Sequence, residues 1–224
     1  INVTGDFNEK EVPIETTPES CFTYQEIEGG VEITNYDASC GVDVVIPDTI
    51  NGLDVLSITA YQADIAGSMI TVDGFSSKNL TSVVLPSNLL TIKNGTFSGN
   101  RLTSVEIPDS VENLGDCAFE HSPLIDGYIV LGSGLKNVGD SVFYESNNSK
   151  GIVFNGEIPA ISQYTFIRPS IPYYHLDGKE GFDVIKDKEV YTYSANPTVR
   201  FIINGEEYSN IVLSSYGQTI SEFD

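Results

Sequence analysis

The 224-residue chain has no tryptophan, one methionine, two histidines and three cysteines, and it sets only 11 basic residues against 32 acidic ones. Each shortage removes a class of function. A nucleic-acid surface depends on lysine and arginine neutralising phosphates, and a formal net charge of −21 opposes it. The same charge disfavours anionic membrane surfaces. No run of about 18 apolar residues is present, so no segment is built to cross a bilayer as a helix. Ile1 stands where an initiator methionine would, as it would after removal of a signal peptide or at an internal boundary.

Catalytic material is equally scarce. His121 and His175 lack a second histidine or cysteine at metal-ligand spacing, and His121, after Phe119-Glu120, reads as a solvated turn residue. Gly-x-Ser-x-Gly is absent, and Gly132-Ser-Gly134 has no strand-turn-helix context around it. Acidic residues are so numerous that a pair of them carries no information about glycoside hydrolysis. We therefore expect no enzyme, and assign no catalytic residue, no metal and no cofactor. Three cysteines are too few for a disulfide framework and lack the C-x-x-C spacing of zinc sites. Cys117, beside Phe119, reads as a small buried apolar residue. Cys21 and Cys40 either pair within the first coil or stay apart, which depends on a Cα separation that the sequence does not show.

What the chain does have is a repeated phrase. Leu80-Thr-Ser-Val-Val-Leu-Pro86 returns 22 residues later as Leu102-Thr-Ser-Val-Glu-Ile-Pro108, and Phe97 returns as Phe119. A fixed period of this size, with apolar residues in fixed slots, marks stacked coils that bury a core only by lying on one another. A proline slot runs through Pro47, Pro86, Pro108, Gly132 and Asn155. An aromatic slot eleven residues later runs through Phe97, Phe119, Phe143 and Phe166. The pairs Val83/Leu85, Val105/Ile107, Ile129/Leu131 and Ile152/Phe154 have strand spacing and face inward. A second inward pair, such as Val111/Leu114 or Leu135/Val138, forms the opposite wall.

The expected architecture is mainly β: a right-handed solenoid of about six coils, with an N-terminal β cap and a C-terminal β-hairpin segment. Residues 1–19 read as a polar tail or linker, and 20–170 as the solenoid with a capping hairpin around Gly29-Gly30. Residues 171–195 read as a closing segment and 196–224 as a hairpin signalled by Asn204-Gly205, or as the start of a second small β domain. Asn51-Gly-Leu-Asp54 looks like an inserted turn. Between Pro47 and Pro86 the gap of 39 residues is too long for one coil, so an irregular coil is expected over 58–79.

Val44-Val-Ile-Pro-Asp-Thr-Ile50, Val105-Glu-Ile-Pro-Asp-Ser-Val111 and Leu114-Gly-Asp-Cys-Ala-Phe119 closely resemble the BspA-like class of leucine-rich repeats. The resemblance covers roughly 21–167, departing from the pattern at Gly132, Asn155 and the irregular coil. It implies a surface protein that adheres to host or neighbouring-cell proteins. The C-terminal end is similar to the opening strands of short β-repeats that follow leucine-rich repeats in Gram-positive surface proteins.

Two surfaces invite a functional reading. Asn94, Asp116 and Asp140 share the slot three residues before each aromatic, where they are expected to accept hydrogen bonds from turn amides, the alternative being a calcium ion between Asp116 and Asp140. The outward slot of the first wall reads Val45, Val84, Glu106, Val130 and Val153, with Tyr128 one slot before. That stripe either shields itself as a β-branched ladder or binds a partner with Tyr128 as anchor. Val45, Val84, Glu106, Tyr128, Val130 and Val153 are thus the candidate ligand-binding residues. The main expectation is an extracellular or surface-attached, monomeric module that holds a host or neighbouring-cell protein. Envelope glycan binding through Tyr128, Tyr144 and Tyr173, or service as a spacer, are the alternatives.

Overall fold

The computed structural model describes residues 15–60, 74–122, 128–146, 148–157, 159, 161, 164 and 165, together with the backbone of the strands at 62–65, 68–71 and six segments between 173 and 219. Two parallel ladders face each other across a single core. The first ladder takes Asp43–Val45, Ser82–Val84, Val105–Ile107, Tyr128–Leu131, Gly151–Phe154, Tyr173–Leu176 and Val190–Tyr193 as successive rungs. It is hydrogen-bonded in two pieces, one holding the first two rungs and one the remaining five. The second takes Gly30–Tyr36, Leu53–Ile58, Thr91–Ile92, Asn113–Leu114 and Asn137–Val138. No α-helix occurs among the described residues.

At Val105–Ile107 inward and outward residues alternate: Val105 and Ile107 are buried while Glu106 between them is exposed. Proline follows the rungs at 47, 86 and 108 because it fixes φ and offers no amide to continue a ladder. Between the walls runs a column of rings: Tyr36, Phe75, Phe97, Phe119 and Phe143, with centroids 5.0–5.6 Å apart. The chain arches around Phe97, Phe119 and Phe143 through left-handed residues two positions before and two after each, Gly95 and Gly99 flanking Phe97. Cys117 and His121 flank Phe119, and Ser141 and Glu145 flank Phe143. Asn100 closes the arch next to the repeated phrase. Its Oδ1 accepts from the amides of Lys78 and Leu80, and its Nδ2 donates to the carbonyls of Phe75 and Phe97.

Four coils carry both walls, spanning 43–58, 82–92, 105–114 and 128–138, against the six or so expected from the period. Among the described residues the interval between Pro47 and Pro86 holds no separate coil. Asp43–Val45 pairs directly with Ser82–Val84, and the surplus residues form two antiparallel hairpins. One hairpin joins Thr49–Ile50 to Leu53–Ile58 through Asn51-Gly52, both with positive φ. The other pairs Gln62–Ile65 with Ser68–Thr71. Phe75 nevertheless joins the ring column. Phe166 lies outside the described residues.

The N-terminal hairpin, Phe22–Ile27 with Gly30–Tyr36, closes the open end of the second ladder, its outer strand running antiparallel to the stack. The first ladder is closed differently. Thr17 donates its amide to the Val45 carbonyl and accepts from the Val45 amide through Oγ1, and Glu19 Oε2 accepts from the Asn51 amide. The end of the sequence tail is thereby a strap along the first rung. Cys21 and Cys40 are joined by a disulfide. Its closed loop of about 20 residues corresponds to about 3 kcal/mol in the chain-entropy account, so reduction is expected to lower Tm by about 6–12 °C, measurable by scanning fluorimetry with and without dithiothreitol. Beyond residue 170 the first ladder continues: Tyr173–Leu176 pairs in parallel with Gly151–Phe154, and Val190–Tyr193 with Tyr173–Leu176. Arg200–Ile203 and Glu206–Ser209 pair as an antiparallel hairpin, with Asn204-Gly205 itself outside the described residues.

Candidate functional site

The outward row of the first ladder gathers the residues singled out from the sequence. Val45 stands opposite Val84, and Glu106, Val130 and Val153 stand opposite one another in turn. Tyr128 belongs to the adjoining row and faces Gly151. The stripe is uneven. Val84 is 45% exposed, Val45, Val130 and Tyr128 are half-buried, and Val153 is buried at 8%. Val153 has a fully registered rung on either side, with the β-branched Val130 next to it, whereas Val84 stands where the ladder is interrupted. At that interruption lies a groove of about 440 Å³, lined by Ser82, Val84, Leu85, Ser104, Glu106 and Pro108 among others. Asp43 marks the acidic end of the face. Hydrogen bonds from Thr81 and Ser82 hold its carboxyl below the usual range, so it stays charged. Tyr174 and Tyr191 prolong the row of Val130 and Val153 by register, a continuation hidden in the sequence because the spacing of the rungs shortens there.

The second ladder carries an outer row that sequence reading missed: Gln25, Glu32, Ser57, Thr91, Asn113 and Asn137 lie in register across six strands. Glu32 is its one charge, only 4% exposed. Burial opposes its ionisation, but Lys93, Ser57 Oγ at 2.7 Å and Gln25 Nε2 at 2.8 Å outweigh burial and hold the carboxyl below the ordinary glutamate range. A depressed pKa contributes stability that is present above the unfolded value and lost as pH falls through the folded one. Glu32→Gln is therefore expected to cost about 2 kcal/mol at neutral pH and to flatten the acid limb of a Tm-against-pH curve. Along the rest of the row, Asn113 Nδ2 donates to Thr91 Oγ1 and Asn137 Nδ2 to Asn113 Oδ1. The signal was present at offsets of 22 and 24 in the second wall, but polar residues there read as ordinary surface.

The Asn94, Asp116 and Asp140 slot behaves as expected for turn acceptors. Asn94 Oδ1 accepts from the Asp116 amide at 3.0 Å, and Asp116 Oδ1 from the Asp140 amide at 2.8 Å, so each coil ties down the next. Among the described residues no group of three or more His, Cys, Asp or Glu side chains is placed to hold a metal ion. His121 is exposed, with Glu120 and Glu145 beside it and Tyr144 edge-on to its ring. Cys117 is half-buried, and burial, with the Glu120 charge next, pushes its thiol up to about 12, which keeps it protonated and a poor nucleophile.

Residues 68–193 match the model of the BspA type leucine-rich repeat region in six copies. Six rungs of the first ladder fall within those limits, from Ser82–Val84 to Val190–Tyr193. No curated protein matches the chain. A crystal structure of a leucine-rich repeat protein from T. pallidum is similar at 20% identity, covering 62% of this chain and 71% of that one, with a TM-score of 0.44.

Proposed function

Because this chain belongs to the BspA type leucine-rich repeat family, we propose that it is a protein-binding module displayed outside the cell, with the outer face of the first ladder as its binding surface. The observation that carries the reading is the groove beside Glu106, where Val84, 45% exposed, and the exposed carboxylate of Glu106 meet at the interruption of the ladder. Val130 and Tyr128 lie on the next rung, so an apolar anchor and an acidic contact sit side by side. Apolar contact at the centre with charge at the rim is the usual anatomy of a transient interface. A face carrying Asp43 and Glu106, on a chain of net charge −21, steers basic or neutral partners and repels acidic ones.

An extracellular setting is supported by the Cys21–Cys40 disulfide, which persists in oxidising compartments. Among the described residues no helix is long and apolar enough to cross a membrane. A host or neighbouring-cell surface protein is the partner we propose. Binding without catalysis is the activity. Pull-down from extracellular-matrix and cell-envelope fractions, with a Val84→Asp/Glu106→Lys variant as control, tests this. The expected result is at least a tenfold loss of captured partner with Tm held within about 2 °C, since both side chains are exposed. Equal capture by both proteins would leave the spacer reading in its place.

A further inference from the structure

The two ladders end differently at the N-terminal end of the stack. On the first ladder the outer edge of Asp43–Val45 is strapped: Thr17 donates its amide to the Val45 carbonyl, and its Oγ1 accepts from the Val45 amide. The second ladder ends on Phe22–Ile27, which pairs with Gly30–Tyr36 on one side and, among the described residues, with no strand on the other. This end strand is six residues long, against two each for Thr91–Ile92 and Asn113–Leu114 deeper in the same ladder. A free edge of that kind is a row of backbone donors and acceptors open to one more strand.

The register fixes which groups face outward. Opposed residues of an antiparallel pair alternate between hydrogen-bonded and non-bonded. Cys21 accepts from the Asp37 amide, so residues 21 and 23 turn their backbone groups to the inner strand. Past the register shift Tyr24 stands opposite Ile33, whose carbonyl is turned away to the Thr59 amide, and Glu26 stands opposite Val31 in the same phase. The amides and carbonyls of Tyr24 and Glu26 therefore face the free edge, about 6.8 Å apart, which is the repeat of an added strand. That edge is also held in place. Phe22 lies 5.6 Å from Tyr36 and 6.2 Å from Phe75, Tyr24 packs on the core, and Cys21 is tied to Cys40. At the far end Gly30 lies against the Asp54 carbonyl and the Leu56 side chain. A partner would thus meet a strand already ordered, with little entropy left to lose on that side.

Charge selects the occupant. Residues 15–60, which build the cap and the first rungs, include nine acidic residues and no lysine, arginine or histidine. Glu26 and Glu28 stand exposed on the edge strand and its turn. Proline and lysine, common guards of a free edge, are absent from Phe22–Ile27. Two copies meeting edge to edge would bring these carboxylates together on molecules of net charge −21, so charge opposes self-pairing and favours a basic strand. We propose that the outer edge of Phe22–Ile27 is a second binding site, separate from the groove beside Glu106, which takes an extended lysine- or arginine-bearing segment of a partner protein as an added strand.

The test is amide hydrogen exchange of the uniformly ¹⁵N-labelled 224-residue chain, with acetyl-Lys-Thr-Val-Thr-Lys-Thr amide as the probe and the same peptide carrying glutamate for both lysines as the control. With the basic peptide at about 2 mM, exchange at Tyr24 and Glu26 is expected to slow at least tenfold. Gln25 and Ile27, already bonded to the inner strand, should change little, and the acidic peptide should slow none of them. Two variants go with it. Glu26→Pro removes an outward amide without touching a bond to Gly30–Tyr36, and it should weaken binding at least tenfold while Tm stays within a few degrees. Val84→Asp/Glu106→Lys should bind the peptide as the parent chain does, so failure at this edge and failure at the groove are read separately. No slowing at Tyr24 and Glu26, equal slowing by the acidic peptide, slowing centred on Val84, or undiminished binding by Glu26→Pro would each overturn the proposal. If Glu26→Pro fails to fold, the alternation of slowed and unchanged amides in the parent chain decides alone.

Discussion

Replacing Asn100 by alanine is expected to lower stability by about 3–4 kcal/mol. The side chain is 2% exposed and makes four hydrogen bonds, all to backbone groups of the arches around Phe75 and Phe97. Alanine leaves two amides and two carbonyls without partners in a place water reaches poorly, and an unmade buried bond costs more than a made one contributes. At about 2–4 °C per kcal/mol for a chain of this size, Tm should fall by roughly 6–16 °C. Serine is not an adequate substitute, even though Ser122 and Ser146 fill the corresponding positions after Phe119 and Phe143. One hydroxyl cannot span two amides and two carbonyls. Urea unfolding of Asn100→Ala and Asn100→Ser should give midpoints close to each other and well below that of the parent chain.

Phe119→Ala should cost about 4–5 kcal/mol, the largest effect of any single replacement considered for this chain. The ring is fully buried and stacks between Phe97 at 5.1 Å and Phe143 at 5.6 Å, with interplanar angles of 9° and 14°. Its loss removes two ring contacts as well as its transfer free energy, and opens a cavity that two parallel walls cannot collapse to fill. Phe119→Leu, which refills most of the space, should cost well under half as much. Since coils touch only their neighbours, Phe97→Ala combined with Phe119→Ala is expected to cost less than the two singly, because they share one contact. Denaturant titration of the four proteins completes that cycle.

The repeated phrase from Leu80 to Pro108 made the walls and the ring column legible, because apolar slots at a fixed offset leave a stack of coils as the consistent packing. Facing was legible too. Alternation about Glu106 placed it outside, between two buried neighbours. Val153 shows where such reading stops: its outward direction followed from alternation, but its cover came from complete rungs on both sides, and only coordinates show that. The 39-residue interval was recognised as too long, yet a spare coil and two hairpins have similar composition, and what distinguishes them is the direct pairing of Val45 with Val84. Tyr174 and Tyr191 were missed because the rungs there come 21 and 17 residues after their predecessors, outside the period. Asn100 was missed because one coil alone uses asparagine there. The polar row from Gln25 to Asn137 was missed for a different reason: hydroxyls, amides and a carboxylate do not look alike in sequence, although a ladder places them in one line.

The strap at Thr17 and the bond between Cys21 and Cys40 give the stack a polarity under load. A chain pulled from its two ends is expected to resist opening at the first coil, where Thr17 is hydrogen-bonded to Val45 and the cap before it is closed by a covalent link. Farther along, the described coils are held by hydrogen bonds and packing with no covalent link, so tension is expected to peel the structure from the C-terminal side, rung after rung. Extension would thus be released in steps of about one coil, and a bound partner on the early rungs would be the last thing let go.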